Sequence, residues 1–167
     1  MKKYGIFYGS ATGVTASIAK KIGDYLGVDQ AEIHDVSQSS PDMFGDYEVL
    51  VLGTSTWGDG EIEEDWYDML AGVEVLDLRD KKIALFGCGD ENMSDTFCNG
   101  VGELYRRLKP TGATFVGAFN TLGYDFNHTD AEVDGHIVGL LLDEANKPEL
   151  SDEKITEWVA LLKTQTE

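Results

Sequence analysis

Residues 9–15 contain the groups that bind a phosphate in many proteins. The stretch reads Gly-Ser-Ala-Thr-Gly-Val-Thr and separates a strand-like apolar run from a segment with helical periodicity. Backbone N–H groups at a helix N-terminus attract anions, and hydroxyl groups add directed hydrogen-bond donors. The stretch therefore predicts a phosphate cradle, formed by Ser10, Ala11, Thr12, Gly13, Val14 and Thr15.

This cradle has no cation, and that separates it from two common nucleotide motifs. Val14 stands where a Walker loop has its lysine. A dinucleotide fingerprint begins at Gly87 and Gly89, but Asn92 occupies its third glycine position. Neutral donors suit a phosphate monoester that is bound and kept rather than transferred. The same residues could also form a Ser/Thr-rich helix cap that binds no ligand.

Two further loops follow the next buried strands. Residues 54–61 place Trp57 among Ser55, Thr56, Gly58 and Gly60. An indole on a polar loop either folds inward or stacks on a planar ligand, and glycines let a backbone approach a ring closely.

The third loop, residues 87–97, offers Cys88, Gly89, Asp90 and the apolar Met93. The first loop would bind a phosphate, and the other two would bind a flat apolar ring beside it. A ligand with these two parts is FMN.

Continuous apolar runs alternate with helical periodicity along the chain. The expected strands are residues 4–8, 31–34, 49–53, 83–86 and 114–119, and the expected helices lie around 18–26, 101–108 and 151–162. Ser151 is the expected N-cap of the last helix. This order predicts an α/β fold with a doubly wound parallel sheet and helices on both faces. Ligands of such sheets bind at the carboxyl ends of the strands, where the three loops lie.

Composition restricts the function further. The 167 residues fit one domain, residues 1–167, and the net charge of −18 argues against nucleic acid and anionic lipid as partners. Such a chain would be steered toward basic protein surfaces, or the charge could simply keep it dispersed. We expect a cytoplasmic monomer without membrane contact, since there is no long apolar run, no leader-like N-terminus and no C-x-x-C pair.

No residue set indicates bond-making catalysis or a metal site. His34, His128 and His136 lie on separate segments without metal-ligand spacing, and no Ser-His-Asp arrangement stands out. We therefore expect a chain that is not an enzyme.

The three loops together resemble those of the flavodoxin family, long-chain type, over essentially the whole chain. Residues 10–15 resemble its phosphate loop, Thr56-Trp57 its tryptophan loop, and residues 87–90 with Phe97-Cys98 its third flavin loop. The resemblance implies a flavodoxin-like, five-stranded, three-layer α/β/α fold and non-covalent FMN. It also implies that the Trp57–Gly58 peptide turns its carbonyl toward the flavin N5. Met93 stands where the family commonly has a tyrosine against the outer face of the ring.

Residues of about 120–139 resemble the long-chain insertion that splits the fifth strand. The resemblance implies low-potential, one-electron transfer between redox enzymes. The implied partners are a flavin reductase and iron–sulfur or radical enzymes with basic docking surfaces. The three loops contain acidic residues and no lysine or arginine. Such surroundings would disfavour the extra negative charge of fully reduced flavin.

Two other functions stay open. The first is an FMN-dependent quinone or nitro reductase on the same fold, although no basic residue in the loops would recruit the phosphate of NADPH. The second is a receiver domain, which would need clustered aspartates where this chain has Tyr8-Gly9-Ser10 and residues 54–56.

Overall fold

Strands and helices alternate along most of the chain in the computed structural model, which describes residues 1–10, 12–57 and 60–167. The strands are β1 (Lys2–Gly9), β2 (Ile33–Asp35), β3 (Tyr47–Trp57), β4 (Glu61–Ile62), β5 (Lys82–Cys88), β6 (Thr114–Val116), β7 (Glu132–Val133), β8 (His136–Ile137) and β9 (Gly139–Leu142). The α-helices are α1 (Val14–Leu26), α2 (Trp66–Val73), α3 (Asn99–Leu108) and α4 (Ser151–Gln165). The predictions for Ala11 and Gly58, including the turning peptide, lie outside the described residues.

The main sheet is parallel, with the order β2-β1-β3-β5-β6, which confirms the predicted five-stranded arrangement. Its fifth position is shared by two strands. β6 pairs with the first half of β5, and β9 pairs with the second half, also in parallel. The intervening residues, 117–138, leave the sheet and carry the small antiparallel pair β7-β8.

Helices cover both faces of the sheet, which confirms the predicted three layers. On one face α1 and α4 bury Ile18, Ile22 and Trp158 against strand residues such as Val51 and Phe86. On the other face, Trp66 of α2 and Leu104 of α3 belong to a second buried cluster. Its strand residues include Phe7, Leu52 and Leu85. Because both faces are covered, the central strands are apolar throughout rather than alternating.

Two strands are longer than the sequence predicts. The apolar run of β3 ends at Gly53, yet the strand continues to Trp57 because Thr56 and Trp57 pair with the antiparallel β4. β5 likewise continues to Cys88, since its last residues pair with β9. Residues 54–57 and 87–88 are therefore strand ends rather than loops.

The last helix begins differently from the prediction. Ser151 is not the N-cap of α4: a 3-10 turn at Pro148–Leu150 leads into the helix, and Leu150 is the capping residue. Ser151 has helical φ and ψ of −67° and −45° and already belongs to the helix. Its buried hydroxyl has no hydrogen-bond partner within the described residues. Asp152 and Glu153 lie in the first turn, where negative charge suits the helix dipole.

In the described part of the chain, no helix is both long and apolar enough to cross a lipid bilayer.

Candidate functional site

The three predicted loops meet at the carboxyl edge of the sheet. Gly9 at the end of β1 is in register with Thr54 of β3, and Thr54 is in register with Gly87 of β5. The chain segments that follow these three positions are therefore neighbours.

The first loop leads into α1 through a left-handed residue. Gly13 is the N-cap, with φ of +89°, and open space surrounds the position that a Cβ would occupy. Its N–H donates to Ser10 Oγ at 3.0 Å. The N–H groups of Val14 and Thr15 have no acceptor inside the helix, because the first turn of a helix leaves its donors unpaired. These donors can bind an anion at the positive end of α1.

The hydroxyl groups of this loop divide between two roles. Ser10 is half-buried and Thr12 is exposed, so both can face a ligand. Thr15 is fully buried, and its Oγ1 donates to Cys88 Sγ at 3.8 Å, a distance typical of a weak contact to sulfur. Thr15 therefore ties the first loop to β5, and only its backbone N–H remains directed toward the cradle.

A cation lies near this loop, although none lies within it. Lys21 lines a groove of about 370 Å³ with Thr12, Gly13 and Val14. It is two helical turns beyond the cap, and its Nζ pairs with Asp152 at 2.9 Å. Lys21 was not among the residues predicted for the site, although a spacing of eight from Gly13 places the two residues on one side of the helix.

Trp57 projects from the β3-β4 hairpin and is 42% exposed. Its indole N–H donates to Ser55 Oγ at 2.9 Å, which holds the ring in one orientation. Gly60 closes the hairpin: its N–H donates to the Trp57 carbonyl at 3.0 Å, and its φ is +98°. A large, oriented and exposed aromatic face at this position is available for stacking on a flat ligand.

Thr56 and Gly60 also lie against α3. Thr56 Oγ1 accepts a hydrogen bond from the Gly100 N–H at 3.1 Å. A Cβ on Gly60 would lie 2.8 Å from Asn99 Nδ2, so the hairpin and the helix approach too closely for a larger residue. The polar contacts of Ser55 and Thr56 thus position the indole.

The third loop places Met93 on the same edge, where it is 51% exposed. At the start of this loop, Gly89 packs against the helix that follows. A Cβ on Gly89 would lie 2.7 Å from the Cys98 backbone nitrogen. Asp90 is half-buried and accepts hydrogen bonds from the Asn92 N–H at 2.8 Å and from Asn146 Nδ2 at 2.7 Å.

Asp143 organises the backbone around this third loop. It is fully buried at the end of β9, and its carboxylate accepts four hydrogen bonds. Oδ1 accepts from the N–H groups of Ala145 and Asn146 at 3.0 and 2.9 Å, and Oδ2 accepts from the Glu91 N–H and Asn146 Nδ2 at 2.9 and 2.8 Å. Asp143 was not predictable as a site residue, because its partners lie on two different loops.

The charges predicted near the site are partly compensated. Glu91 forms a salt bridge with Lys147 at 3.2 Å, and its Oε2 accepts from the Asp125 N–H at 2.7 Å. Asp90 has no salt bridge in the part of the chain that the structure describes. Of these two carboxylates, Asp90 therefore contributes the larger uncompensated charge.

The two cysteines are free and buried. Burial raises the pKa of the Cys88 thiol to about 12 and raises the pKa of Cys98 well above its ordinary value. Both thiols are therefore inert packing groups at neutral pH. Across residues 1–10, 12–57 and 60–167, no three His, Cys, Asp or Glu side chains are grouped as metal ligands.

Comparison with known proteins identifies the family. The family model described as Flavodoxin matches residues 6–158. A flavodoxin from Nostoc sp. is 41% identical over 165 residues, which cover 98% of this chain and 97% of that relative. Flavodoxin 1 from Escherichia coli is 43% identical over 157 residues, which cover 93% and 89% of the two chains. The chain belongs to the flavodoxin family.

A solved flavodoxin structure supports the fold. It is a mutant from Fusobacterium nucleatum bound to flavin mononucleotide, with a TM-score of 0.92 and 32% identity. The match covers 100% of this chain and 98% of that chain. The resemblance inferred from the three loops is confirmed, and so is the flavodoxin-like fold.

In this flavodoxin family member the segment of residues 117–138, between β6 and β9, packs on the third loop. Phe126 stacks on the buried Phe97, with ring centroids 4.7 Å apart and an interplanar angle of 25°. The N–H groups of Asn127 and His128 both donate to the Ser94 carbonyl at 2.8 Å. Met93, one residue before Ser94, thus lies next to a residue that this segment contacts.

Proposed function

We propose that this chain binds one FMN non-covalently at the carboxyl edge of its sheet and transfers electrons between redox proteins at low potential. The observation that carries the proposal is the pairing of a cation-free anion cradle with an oriented, exposed indole on neighbouring chain segments. The cradle suits the phosphate, and the indole suits the isoalloxazine ring. The whole chain, residues 1–167, serves as one FMN-binding domain.

The residues divide into a phosphate end and a ring end. Ser10, Thr12 and the N–H groups that follow Gly13 would hold the phosphate, with Ala11 in the same loop. Trp57, with Thr56 and Gly58, would cover one ring face, and Met93 the other. Gly89 and Asp90 would meet the polar edge of the ring, next to the buried Cys88.

FMN supplies the redox chemistry, accepting and releasing electrons one at a time. The protein sets the electrostatic environment. Asp90, which has no salt bridge within the described residues, would lie at the ring end, and the net charge of the chain is −18. An added electron is therefore disfavoured, which lowers the potential.

The same charge determines which partners fit. Redox proteins with basic docking surfaces, such as a flavin reductase or an iron–sulfur or radical enzyme, would be steered to this chain. The two free thiols are compatible with a reducing compartment, and we assign the carrier to the cytoplasm as a monomer.

An anaerobic reductive titration of the FMN-loaded protein tests the proposal. We expect two separate one-electron steps, with the second at the lower potential. A single two-electron step would contradict the proposal. Steady-state oxidation of NADPH with a quinone, without a partner reductase, is expected to be absent; rapid turnover would instead support the quinone reductase alternative.

A further inference from the structure

Glu63 is a buried carboxyl group without a positively charged partner. It lies between β4 and α2 and is 3% exposed. No salt bridge involves it within the described residues. Its Oε2 accepts from the Asp65 N–H at 2.9 Å, and its own N–H donates to Thr54 Oγ1 at 3.1 Å. The side chain is therefore held in a defined position.

That position is beside the end of β1, the strand that leads into the proposed phosphate cradle. A Cβ on Gly9 would lie 2.7 Å from both Glu63 Oε2 and Trp66 Cδ1, so the glycine lets β1 end directly against this carboxyl group. Ser10 follows directly. Thr54 is both the register partner of Gly9 and the residue bonded to the Glu63 backbone. Glu63 thus contacts the strand end from which the cradle begins.

The charged groups around Glu63 are acidic. Burial is the main cause that raises the pKa of Glu63, and the carboxylates of Asp65, Asp35 and Glu64 raise it further. Asp65 and Glu64 belong to the same segment, and Asp35 faces Glu63 from the end of β2. The hydrogen bond from the Asp65 N–H lowers the pKa of Glu63 and so opposes these effects. The neighbouring Gly9 and Trp66 are uncharged.

A bound phosphate would raise the pKa of Glu63 further, as these carboxylates do. A phosphate monoester carries between one and two negative charges near neutral pH, with a second pKa of about 6. At the end of β1 it would repel an ionised Glu63, and within the described residues none of the groups that shift the pKa of Glu63 is basic. A protonated Glu63 carries no charge and avoids this repulsion. It can still accept the hydrogen bond from the Asp65 N–H.

We propose that FMN binding is coupled to the uptake of a proton by Glu63, which stays a neutral carboxylic acid in the loaded protein. This inference rests on the proposed function. The step is an acid–base equilibrium: the carboxylate takes one proton from solvent, and no other bond changes. FMN affinity therefore decreases as the pH rises and the free chain loses this proton.

The test measures the dissociation constant for FMN between pH 5 and pH 9 by quenching of flavin fluorescence. Wild type is compared with Glu63→Gln and with Asp68→Asn, an equal charge change at an exposed position whose carboxylate is not among the groups that shift the pKa of Glu63. The FMN phosphate titrates in the same way with all three proteins. The ratio of two dissociation constants therefore reports only the effect of the substituted side chain. The Kd ratio of wild type to Glu63→Gln should rise from near one at pH 5 to about tenfold at pH 8.

Two controls identify the phosphate as the coupled group. The ratio of wild type to Asp68→Asn should stay near one throughout. Riboflavin, which lacks the phosphate, should give a pH-independent ratio for both variants. A flat ratio for FMN, or an equal slope for riboflavin, would overturn the coupling while leaving FMN binding intact. Failure of all three proteins to bind FMN would overturn the proposed function as well.

A direct measurement does not depend on the variant folding. Infrared difference spectra of the wild type, recorded at pH 8 with and without FMN, should gain the carbonyl stretch of one protonated carboxyl group. Absence of that band would contradict proton uptake even if Glu63→Gln were unstable.

Discussion

Replacing Asp143 with asparagine should destabilise the protein through the backbone around the third loop. The amide keeps one acceptor oxygen, which can still serve two of the four donors that the carboxylate binds. Its NH₂ group then faces the other two donors, the Glu91 N–H and Asn146 Nδ2, and can accept from neither. Hydrogen bonds to charged groups contribute about 1.5–3 kcal/mol each, and a buried donor left unpaired costs about 1–3 kcal/mol. These effects overlap, so we expect a loss of about 2–5 kcal/mol.

Urea unfolding of the FMN-free protein measures this loss. The midpoint should fall while the slope stays unchanged, because the surface exposed on unfolding is the same. The matched control is Asp80→Asn, an exposed position, whose effect should stay within about 0.5 kcal/mol. A loss below about 1 kcal/mol for Asp143→Asn, with the control behaving as expected, would refute the role assigned to this carboxylate.

Three further predictions follow from individual contacts. Gly89→Ala should cost about 1–3 kcal/mol, measured by urea unfolding, because its Cβ would lie 2.7 Å from the Cys98 nitrogen; an unchanged midpoint would argue against that close approach. Asp90→Asn should raise the lower one-electron potential by about 30–60 mV in a spectroelectrochemical titration, since it removes an uncompensated charge; an unchanged or lower value would contradict the electrostatic account. Burial lowers the pKa of His34, so the unfolded chain takes up its proton first on acidification. Stability should therefore decrease as the pH falls below about 6.5 toward the lowered pKa, and His34→Gln should weaken that dependence; the same slope in both proteins would refute it.

The fold was predictable from the sequence where its causes are local. The continuous apolar runs of β1, β3 and β5 follow from burial on both faces, and alternation with helical periodicity implies the parallel sheet. Strand ends were not predictable in this way. β3 extends to Trp57 because β4 pairs with it, and that contact requires the folded hairpin.

One helix was missed although its pattern is present. Trp66, Met69, Leu70 and Val73 repeat at i, i+3, i+4 and i+7, which is the buried stripe of α2. The helix has only eight residues and no side-chain cap, so its start carries no sequence signal. The N-cap predicted at Ser151 is wrong for a related reason: the preceding 3-10 turn, rather than the best capping residue, sets where α4 begins.

The candidate site was predictable as residue types but not as contacts. The hydroxyls, glycines and indole of the three loops are visible in the sequence, and the sheet register brings those loops together. Three features depend on contacts between residues far apart in the chain: the burial of the Thr15 hydroxyl, the hydrogen bonds of the Asp143 carboxylate, and the position of Glu63 beside Gly9. Only the packed structure reveals them.

The most direct test of the account is a titration of the FMN-free protein with FMN, followed by flavin fluorescence. We expect one equivalent to bind, with its fluorescence strongly quenched, and expect Trp57→Ala to bind more weakly and to quench less. Fluorescence that stays unquenched at excess FMN, from protein that is folded, would contradict the claim that the neutral cradle and the indole together bind this nucleotide.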